Sequence, residues 1–249
     1  MIDPVNVERL ADVAWPAAEC VPLGPWRLRA NRGVTRRTNS VFTAGHDDAR
    51  GADLEHLVDA AERFYAARSL PPVFQISAAT GARELDGFLA RRGYVIDGAS
   101  EVWTAEVGNV ERPGLCGGVA TRADEPGGAW FDTAFAEDGA ERRRVHEEIV
   151  RRSPRPRVFV SVVVDGRVAA CAMGVGGGGL TGLFCMATGP EFRRRGFARA
   201  LLGEVAGWAA GQGGAGVYLQ VMAENEGGRR LYRQAGFEPA YDYHYRTKA

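Results

Sequence analysis

One short stretch most restricts what this chain can fold into: an apolar run, a basic loop and then a helical pattern. The run Leu183–Thr188 has the composition of a buried strand, and the helical pattern begins near Gly196. The first N–H groups of a helix lack partners within the helix, and the helix dipole places partial positive charge there. Because the loop between them is rich in arginine, this corner is suited to hold a pyrophosphate. The residues predicted to contact it are Arg193, Arg194, Arg195, Gly196, Phe197 and Ala198.

A second motif follows the next predicted strand, Val217–Met222. It reads N-x-x-G-x-x-L-Y-x-x-x-G-F and runs from Asn225 to Phe237. The basic loop alone is also compatible with an exposed helix start. Together, the two motifs resemble those of the GNAT superfamily of acyl-CoA-dependent N-acyltransferases. The family's R/Q-x-x-G-x-G/A motif falls on the basic loop, and its second motif falls on Asn225 to Phe237, with Gly228 in place of the usual alanine. The resemblance covers residues 115–249 well and the first half only weakly.

The resemblance implies acetyl-CoA as the co-substrate and assigns roles to individual residues. The pantetheine arm would pair with the backbone of Met186, Ala187 and Thr188, as a peptide adds to a sheet edge. Asn225 would bind the CoA arm, and the Tyr232 hydroxyl would protonate the leaving thiolate. The same residues also have plain structural explanations, namely a core strand, a helix N-cap and a core aromatic ring.

The general base is the least defined part of the expected site. Many family members carry a glutamate on the strand that corresponds to Leu180–Thr188, and this strand has none. Glu224 is our candidate for a catalytic carboxylate, and Glu137 and Asp138 are others. A chain of water molecules would also suffice, because the amine needs only to be neutral when it attacks.

Composition narrows the function classes. The chain has 249 residues, enough for one large domain or two small ones, and 31 basic residues balance 31 acidic ones. This balance does not favour a nucleic-acid partner. Four scattered cysteines suggest free thiols in a reducing compartment, and the polar N-terminus is unlike a signal peptide. We expect a soluble cytoplasmic protein.

Two local patterns require care. Residues 168–190 carry no charge, but glycines interrupt them, which predicts two strands around a turn and no membrane span. His46-Asp47-Asp48 has no second cluster at ligand spacing, so we interpret it as a polar turn and expect no metal.

The chain divides at a glycine-rich segment, Gly108–Gly118. The first half contains an echo of the second: Phe74–Ser77 and a later Gly93-Tyr94 parallel Leu219–Met222 and Gly236-Phe237. The first half lacks a counterpart of the basic loop. We therefore predict an α/β (α+β) fold of two tandem GNAT-like domains, each a mixed, mostly antiparallel sheet flanked by helices. Residues 1–110 would form a degenerate domain, and residues 115–249 the acetyl-CoA-binding catalytic domain.

Two segments of the first half carry weaker expectations. Pro16, Pro22 and Pro25 predict a loop after the first helix. The polar run Thr35–Ser40 is either an exposed strand edge or, if the halves pack face to face, part of the acceptor site.

These observations support one leading hypothesis and two alternatives. The leading one is an N-acetyltransferase that moves an acetyl group directly from acetyl-CoA to a primary amine of a small molecule. The alternatives are a non-catalytic acyl-CoA sensor and a peptide or protein N-acetyltransferase. We expect a monomer or homodimer with neither a nucleic-acid nor a membrane partner.

Overall fold

The structure is a computed structural model that describes residues 2–44, 54–80, 82–115 and 117–248. The polar turn at His46-Asp47-Asp48 and the cysteine at position 116 lie outside these ranges. The first half contains three helices and five strands within the described residues. In chain order they are α1 (Pro4–Ala14), β1 (Glu19–Leu23), β2 (Trp26–Ala30), a short 3-10 helix (Arg36–Thr38), β3 (Val41–Phe42), α2 (Leu54–Ala66), β4 (Val73–Ser77), α3 (Arg83–Arg91) and β5 (Val95–Glu106).

In the second half, the predicted strands, the helix start near Gly196 and the second motif follow one another in the expected order. Its described elements are β6 (Val119–Ala123), α4 (Gly128–Ala134), α5 (Ala140–Arg152), β7 (Arg157–Val164), β8 (Arg167–Gly177), β9 (Leu180–Thr188), α6 (Phe197–Gly211), β10 (Gly216–Met222), α7 (Glu226–Gln234) and β11 (Glu238–Thr247). The uncharged segment 168–190 is a pair of antiparallel strands, as expected. No helix among the described residues is long and apolar enough to cross a membrane.

Two predictions for the first half are wrong. The expected loop contains the edge strand β1, which pairs with β2. Pro22 is tolerated there because an edge strand has one side on which no N–H donor is needed. The sequence also predicts a strand over Thr38–Thr43, but the observed strand covers only Val41–Phe42, because the polar residues before it form the 3-10 turn.

All described strands join one sheet, in the order β1-β2-β3-β4-β11-β5-β10-β9-β8-β7-β6. Two pairs, β3 with β4 and β9 with β10, are parallel, and the others are antiparallel. The mixed, mostly antiparallel sheet flanked by helices is confirmed. The halves share this one sheet, because β5 of the first half pairs along the whole of β10 while β11 of the second half lies between β4 and β5.

The two halves repeat one arrangement of elements around the centre of the sheet. The series β3-α2-β4-α3-β5 matches β9-α6-β10-α7-β11 in order and in its parallel pair. Each repeat ends its second helix on a left-handed glycine, Gly93 at φ 85° and Gly236 at φ 94°. That residues 1–110 and 115–249 form two separate domains stays a prediction.

Packing of α1 against the second half brings N-terminal residues to the middle of the molecule. Val7, Ala11 and Trp15 are buried in one cluster with Val175 and Phe184 of the second half. On the opposite face of the sheet, helix α6 covers β7, β8 and β9. The sheet therefore has α1 and α6 on opposite sides at the point where β9 meets β10.

Candidate active site

The sheet opens between its two central parallel strands. Strand β9 pairs with β10 only from Leu180 to Gly182, opposite Gly216 to Tyr218, and beyond these residues the strands diverge. Gly182 sits at the point of divergence, where a Cβ atom would lie 2.6 Å from the Tyr218 hydroxyl and from the Phe184 ring. A glycine here allows both rings to pack beside the gap.

A β-bulge on β9 marks the start of the open segment. The pairing of β9 with β8 shifts register opposite Ala172, and Cys185 adopts a left-handed φ of 52°. Past the bulge, Ala187 and Thr188 still pair with β8 on one side. On the other side the backbone from Leu183 to Thr188 is not paired with β10, which leaves a strand edge able to accept an extended ligand.

The loop after β9 forms the predicted corner at the start of α6. Gly196 is the N-cap at φ 81°, and no side chain caps the helix. Arg194 also has a left-handed φ, 63°, so consecutive N–H groups can converge in a concave anion site. The side chains of Arg193, Arg194 and Arg195 are exposed around it. Phe197 is 1% exposed and anchors the corner to the core, so its N–H stays in place.

Two cavities meet at the gap, and we name them the rim cleft and the central cavity. The rim cleft, about 1110 Å³, lies outside the end of β9. It is lined by residues of α4, the loop after it, the turn between β7 and β8, the end of β9, the short 3-10 helix Pro190–Phe192 and the second motif: Ala129, Asp132, Thr133, Ala134, Phe135, Ala136, Glu137, Asp138, Gly166, Arg167, Val168, Met186, Ala187, Thr188, Gly189, Pro190, Glu191, Phe192, Arg193 and Asn225. Five of the predicted cofactor-binding residues therefore share one wall. Arg194, Arg195, Gly196, Phe197 and Ala198 lie beside it on the corner.

The central cavity, about 410 Å³, lies between β9, β10 and the first half. It is lined by Trp15, Thr35, Arg36, Arg37, Gly98, Ser100, Phe135, Leu183, Phe184, Cys185, Met186, Leu219, Gln220, Met222, Tyr232, Tyr243 and Tyr245. Phe135 and Met186 line both cavities, so the two are adjacent.

Tyr232 reaches the central cavity from α7. Its side chain is 8% exposed, and its ring centroid lies 6.2 Å from that of Phe237. Its hydroxyl makes no hydrogen bond to any residue that the structure describes. Burial raises the pKa of Tyr232 to about 12, so the hydroxyl carries its proton at neutral pH. It can donate a hydrogen bond, or its proton, to a group beside it on which negative charge develops.

Asn225 is the N-cap that the sequence predicts, and it lies beside the rim cleft. Its side-chain Oδ1 accepts a hydrogen bond from the Gly228 N–H at 2.9 Å, which makes it the N-cap of α7. The residue is exposed and lines the rim cleft. Capping fixes the side chain at the mouth of the gap.

The candidate base is farther from the reacting region. Glu224 is exposed on the turn before α7, and it is absent from the lining of both cavities. Glu137 and Asp138 line the rim cleft, where Asp138 accepts hydrogen bonds from Arg142 at 2.9 Å and pairs with His146 at 2.5 Å. The general base remains a prediction.

Sequence reasoning missed much of the central cavity. Trp15, Ser100 and Tyr245 come from α1, β5 and β11, and nothing in their local sequence indicates a site. The polar run Thr35–Ser40 did provide a signal, since Thr35, Arg36 and Arg37 line the cavity. Among the described residues, no cluster of three or more His, Cys, Asp or Glu side chains is arranged to hold a metal.

A sheet opened between two parallel strands, with an uncapped helix start beside the gap, is typical of acyl-CoA-dependent transferases. Comparison with known proteins agrees with this class. Residues 119–237 match the model of the Acetyltransferase (GNAT) family. A Bacillus subtilis (strain 168) protein described as an uncharacterized N-acetyltransferase, YobR, is 31% identical to this chain. The alignment is 261 residues long and covers 100% of each chain. The chain therefore belongs to the GNAT family of acetyltransferases.

Solved structures support the fold. A GCN5-related N-acetyltransferase from Kribbella flavida superimposes with a TM-score of 0.72 at 17% identity, covering 98% of this chain and 95% of that one. A tandem GNAT protein from the clavulanic acid biosynthesis pathway gives a TM-score of 0.64 at 14% identity, covering 78% and 69%. The chain is thus an acyltransferase of a family whose enzymes use acetyl-CoA as co-substrate, and the resemblance seen in the sequence is confirmed.

Proposed function

We propose that this protein transfers an acetyl group directly from acetyl-CoA to a primary amine of a small molecule. The observation that carries the proposal is the central cavity. Its volume of about 410 Å³ lies within the range of small-molecule sites, and residues of the first half, among them Thr35, Arg36 and Arg37, form part of its lining. A small amine can enter such a space, whereas a folded protein substrate would need an open groove.

The proposal assigns the rim cleft and the corner to acetyl-CoA. The uncapped N–H groups at Phe197 and Ala198 would bind the pyrophosphate, and Arg193, Arg194 and Arg195 would add charge around it. The unpaired edge of β9 at Met186, Ala187 and Thr188 would pair with the pantetheine arm, with Asn225 at its side. This path leads from the corner past Met186 into the central cavity.

Transfer then needs three events in the central cavity. The amine nitrogen attacks the thioester carbonyl, so that a C–N bond forms and the C–S bond breaks. A backbone N–H near the bulge at Cys185 would stabilise the oxyanion. The Tyr232 hydroxyl would donate a hydrogen bond, or its proton, to the sulfur as negative charge develops on it.

The proton lost by the amine must reach solvent. Glu224 is the proposed acceptor, and its exposed position requires that water connect it to the amine. The Glu224→Gln variant tests this role. Loss of the base would lower kcat/KM at pH values below the pKa of the amine and leave kcat/KM unchanged at pH values above it.

The structure offers less support for peptide acetylation. A groove for basic peptides needs uncompensated carboxylates near the acceptor, whereas no carboxylate is among the described residues that line the central cavity, and most acidic side chains of the adjacent rim cleft are paired. Asp132 pairs with Arg143 at 2.5 Å and Glu191 with Arg167 at 2.5 Å.

We also propose that the enzyme acts in the cytoplasm as a monomer. The described cysteines, Cys20, Cys171 and Cys185, are free thiols, which suits a reducing compartment. The shared sheet already joins two related halves, so a second copy is not needed to complete the central cavity.

A thiol-release assay tests the function. Purified protein and acetyl-CoA would be screened against amino acids, aromatic amines, polyamines, aminoglycosides and short peptides, with acetyl-CoA binding followed by calorimetry. Turnover on a small amine supports the proposal. Binding without turnover on any class would favour a sensor, and turnover on peptides alone would favour the third hypothesis.

A further inference from the structure

One cationic side chain in the central cavity forms no ion pair with any carboxylate that the structure describes. Arg37 belongs to the 3-10 turn of the first half and lines the cavity. Its guanidinium carbon lies 5.9 Å from the ring centroid of Trp15 and 5.7 Å from that of Phe184. Neighbouring Arg36 pairs with Asp97, but no carboxylate within the described part of the chain pairs with Arg37.

The turn that carries Arg37 is rigid. The buried Asn39 side chain donates to the Val34 carbonyl at 2.7 Å and to the Thr35 carbonyl at 2.8 Å. Its Oδ1 accepts from the N–H groups of Asn31 at 2.7 Å and Gly33 at 2.9 Å. The guanidinium is therefore presented from a fixed backbone, as binding sites require.

The buried acid Glu8 accepts hydrogen bonds from side chains other than Arg37. Glu8 is 1% exposed, and it accepts from Gln75 Nε2 at 2.9 Å and from Ser77 Oγ at 3.3 Å. Burial raises the pKa of Glu8, which weakens it as a counter-charge. The guanidinium N–H groups of Arg37 thus remain free for a ligand.

A second polar group in the same cavity also lacks a partner. The side-chain carbonyl oxygen of Gln220 is buried without a hydrogen bond in the structure as described. Gln220 follows Tyr218 by two residues on β10, so both point to the face that Arg37 occupies. A buried acceptor without a donor is costly, and an amine N–H from a ligand would satisfy it.

We propose that the acceptor is an amine that also carries a carboxylate and an apolar group, as an amino acid does. Arg37 binds the carboxylate, and the carbonyl of Gln220 accepts a hydrogen bond from the amine. The aromatic rings of Trp15, Phe184 and Tyr245 pack against the apolar group. This inference rests on the proposed function and names the substrate class of the same site.

The positive charge of Arg37 excludes amines that carry additional positive charges. A polyamine or an aminoglycoside would place additional cations beside Arg37, where like charges repel. A guanidinium also matches the planar, two-oxygen geometry of a carboxylate better than any neutral group.

Matched pairs of amines test the inference. L-Phenylalanine is compared with phenethylamine and L-leucine with isoamylamine at one pH, with kcat/KM calculated on the concentration of the neutral amine. We expect kcat/KM to be about 10- to 100-fold higher for the member with the carboxylate. Arg37→Gln should remove this preference while the KM for acetyl-CoA stays unchanged. Arg83→Gln, at an exposed arginine of α3, is the matched control and should keep the preference.

A binding measurement separates this inference from the proposed function. Calorimetry with L-phenylalanine in the presence of CoA should show binding that Arg37→Gln weakens by the same factor, and circular dichroism confirms that the variant folds. Such binding without turnover supports the carboxylate site and overturns the proposed acetyl transfer to a small amine. Equal turnover of both members of each pair overturns the carboxylate site and leaves transfer standing. The absence of both turnover and amino-acid binding overturns the inference.

Discussion

Removing the Tyr232 hydroxyl tests the proposed mechanism directly. Tyr232→Phe deletes one oxygen and keeps the ring that packs against Phe237. The hydroxyl has no hydrogen-bond partner among the described residues, so the variant leaves no orphaned polar group in the protein. We therefore expect the melting temperature to change little and any loss of rate to report on chemistry.

The size of the loss follows from the proton that the leaving group needs. A free thiol has a pKa of roughly 8.5, and the pKa of Tyr232 is about 12, so a fully formed thiolate would not remove the proton by itself. The hydroxyl instead donates a hydrogen bond, or its proton, as charge develops on sulfur. Loss of a general acid typically costs about 100- to 10,000-fold in rate, which corresponds to about 3 to 5.5 kcal/mol of transition-state stabilisation.

The pH profile gives an independent check. Because burial raises the pKa of Tyr232, its protonated form dominates below about pH 11 and is lost only as pH rises through 12. The wild-type enzyme should therefore show no descending limb between about pH 6 and 10 from this group. Both enzymes should share a rising limb set by the acceptor amine.

The assay measures kcat and KM by thiol release and the acetyl-CoA Kd by calorimetry. We expect kcat to fall and Kd to stay within a factor of two to three. Tyr94→Phe is the control, because its hydroxyl bonds Glu62 in the first half, away from both cavities. A Tyr232→Phe variant with kcat close to wild type would refute the acid role and leave the residue as a core aromatic.

Three further substitutions probe the geometry. Gly182→Ala would place a Cβ 2.6 Å from the Tyr218 ring, and we expect a loss of about 1 to 3 kcal/mol in unfolding free energy and a higher KM for the amine. A variant of unchanged stability and KM would contradict the close packing at the divergence. Gly196→Ala must adopt φ 81°, a strain of about 1 to 2 kcal/mol, and brings a methyl group to the corner. Calorimetry should show weaker acetyl-CoA binding, and an unchanged Kd would place the pyrophosphate elsewhere. Asp12→Ala leaves the buried guanidinium of Arg29, bonded at 2.6 Å, without its carboxylate. Urea unfolding should show that Asp12→Ala loses about 3 to 5 kcal/mol of unfolding free energy and that Asp12→Asn loses less. Equal, small losses for the two variants would contradict a structural role for the charge.

Local sequence was sufficient to place the strand, the basic loop and the second motif. The strand at Leu180–Thr188, the helix start after Gly196 and the cap at Asn225 lie within a residue of their expected positions. Each depends on contacts between residues close in the chain: glycine conformations, a side-chain cap and an apolar run. Such signals can be recognised without knowing the rest of the fold.

Only the tertiary structure decided how the halves combine and what surrounds the reacting groups. Strands β5 and β11 take places next to strands of the opposite half, and this pairing depends on backbone hydrogen bonds between segments distant in sequence. The same pairing brings Ser100 and Tyr245 to the central cavity, together with Trp15 and Arg37. These residues form no sequence motif, because they come from separate elements. Each position needs only a side chain of suitable size and charge, and the number of residues between the positions is not fixed.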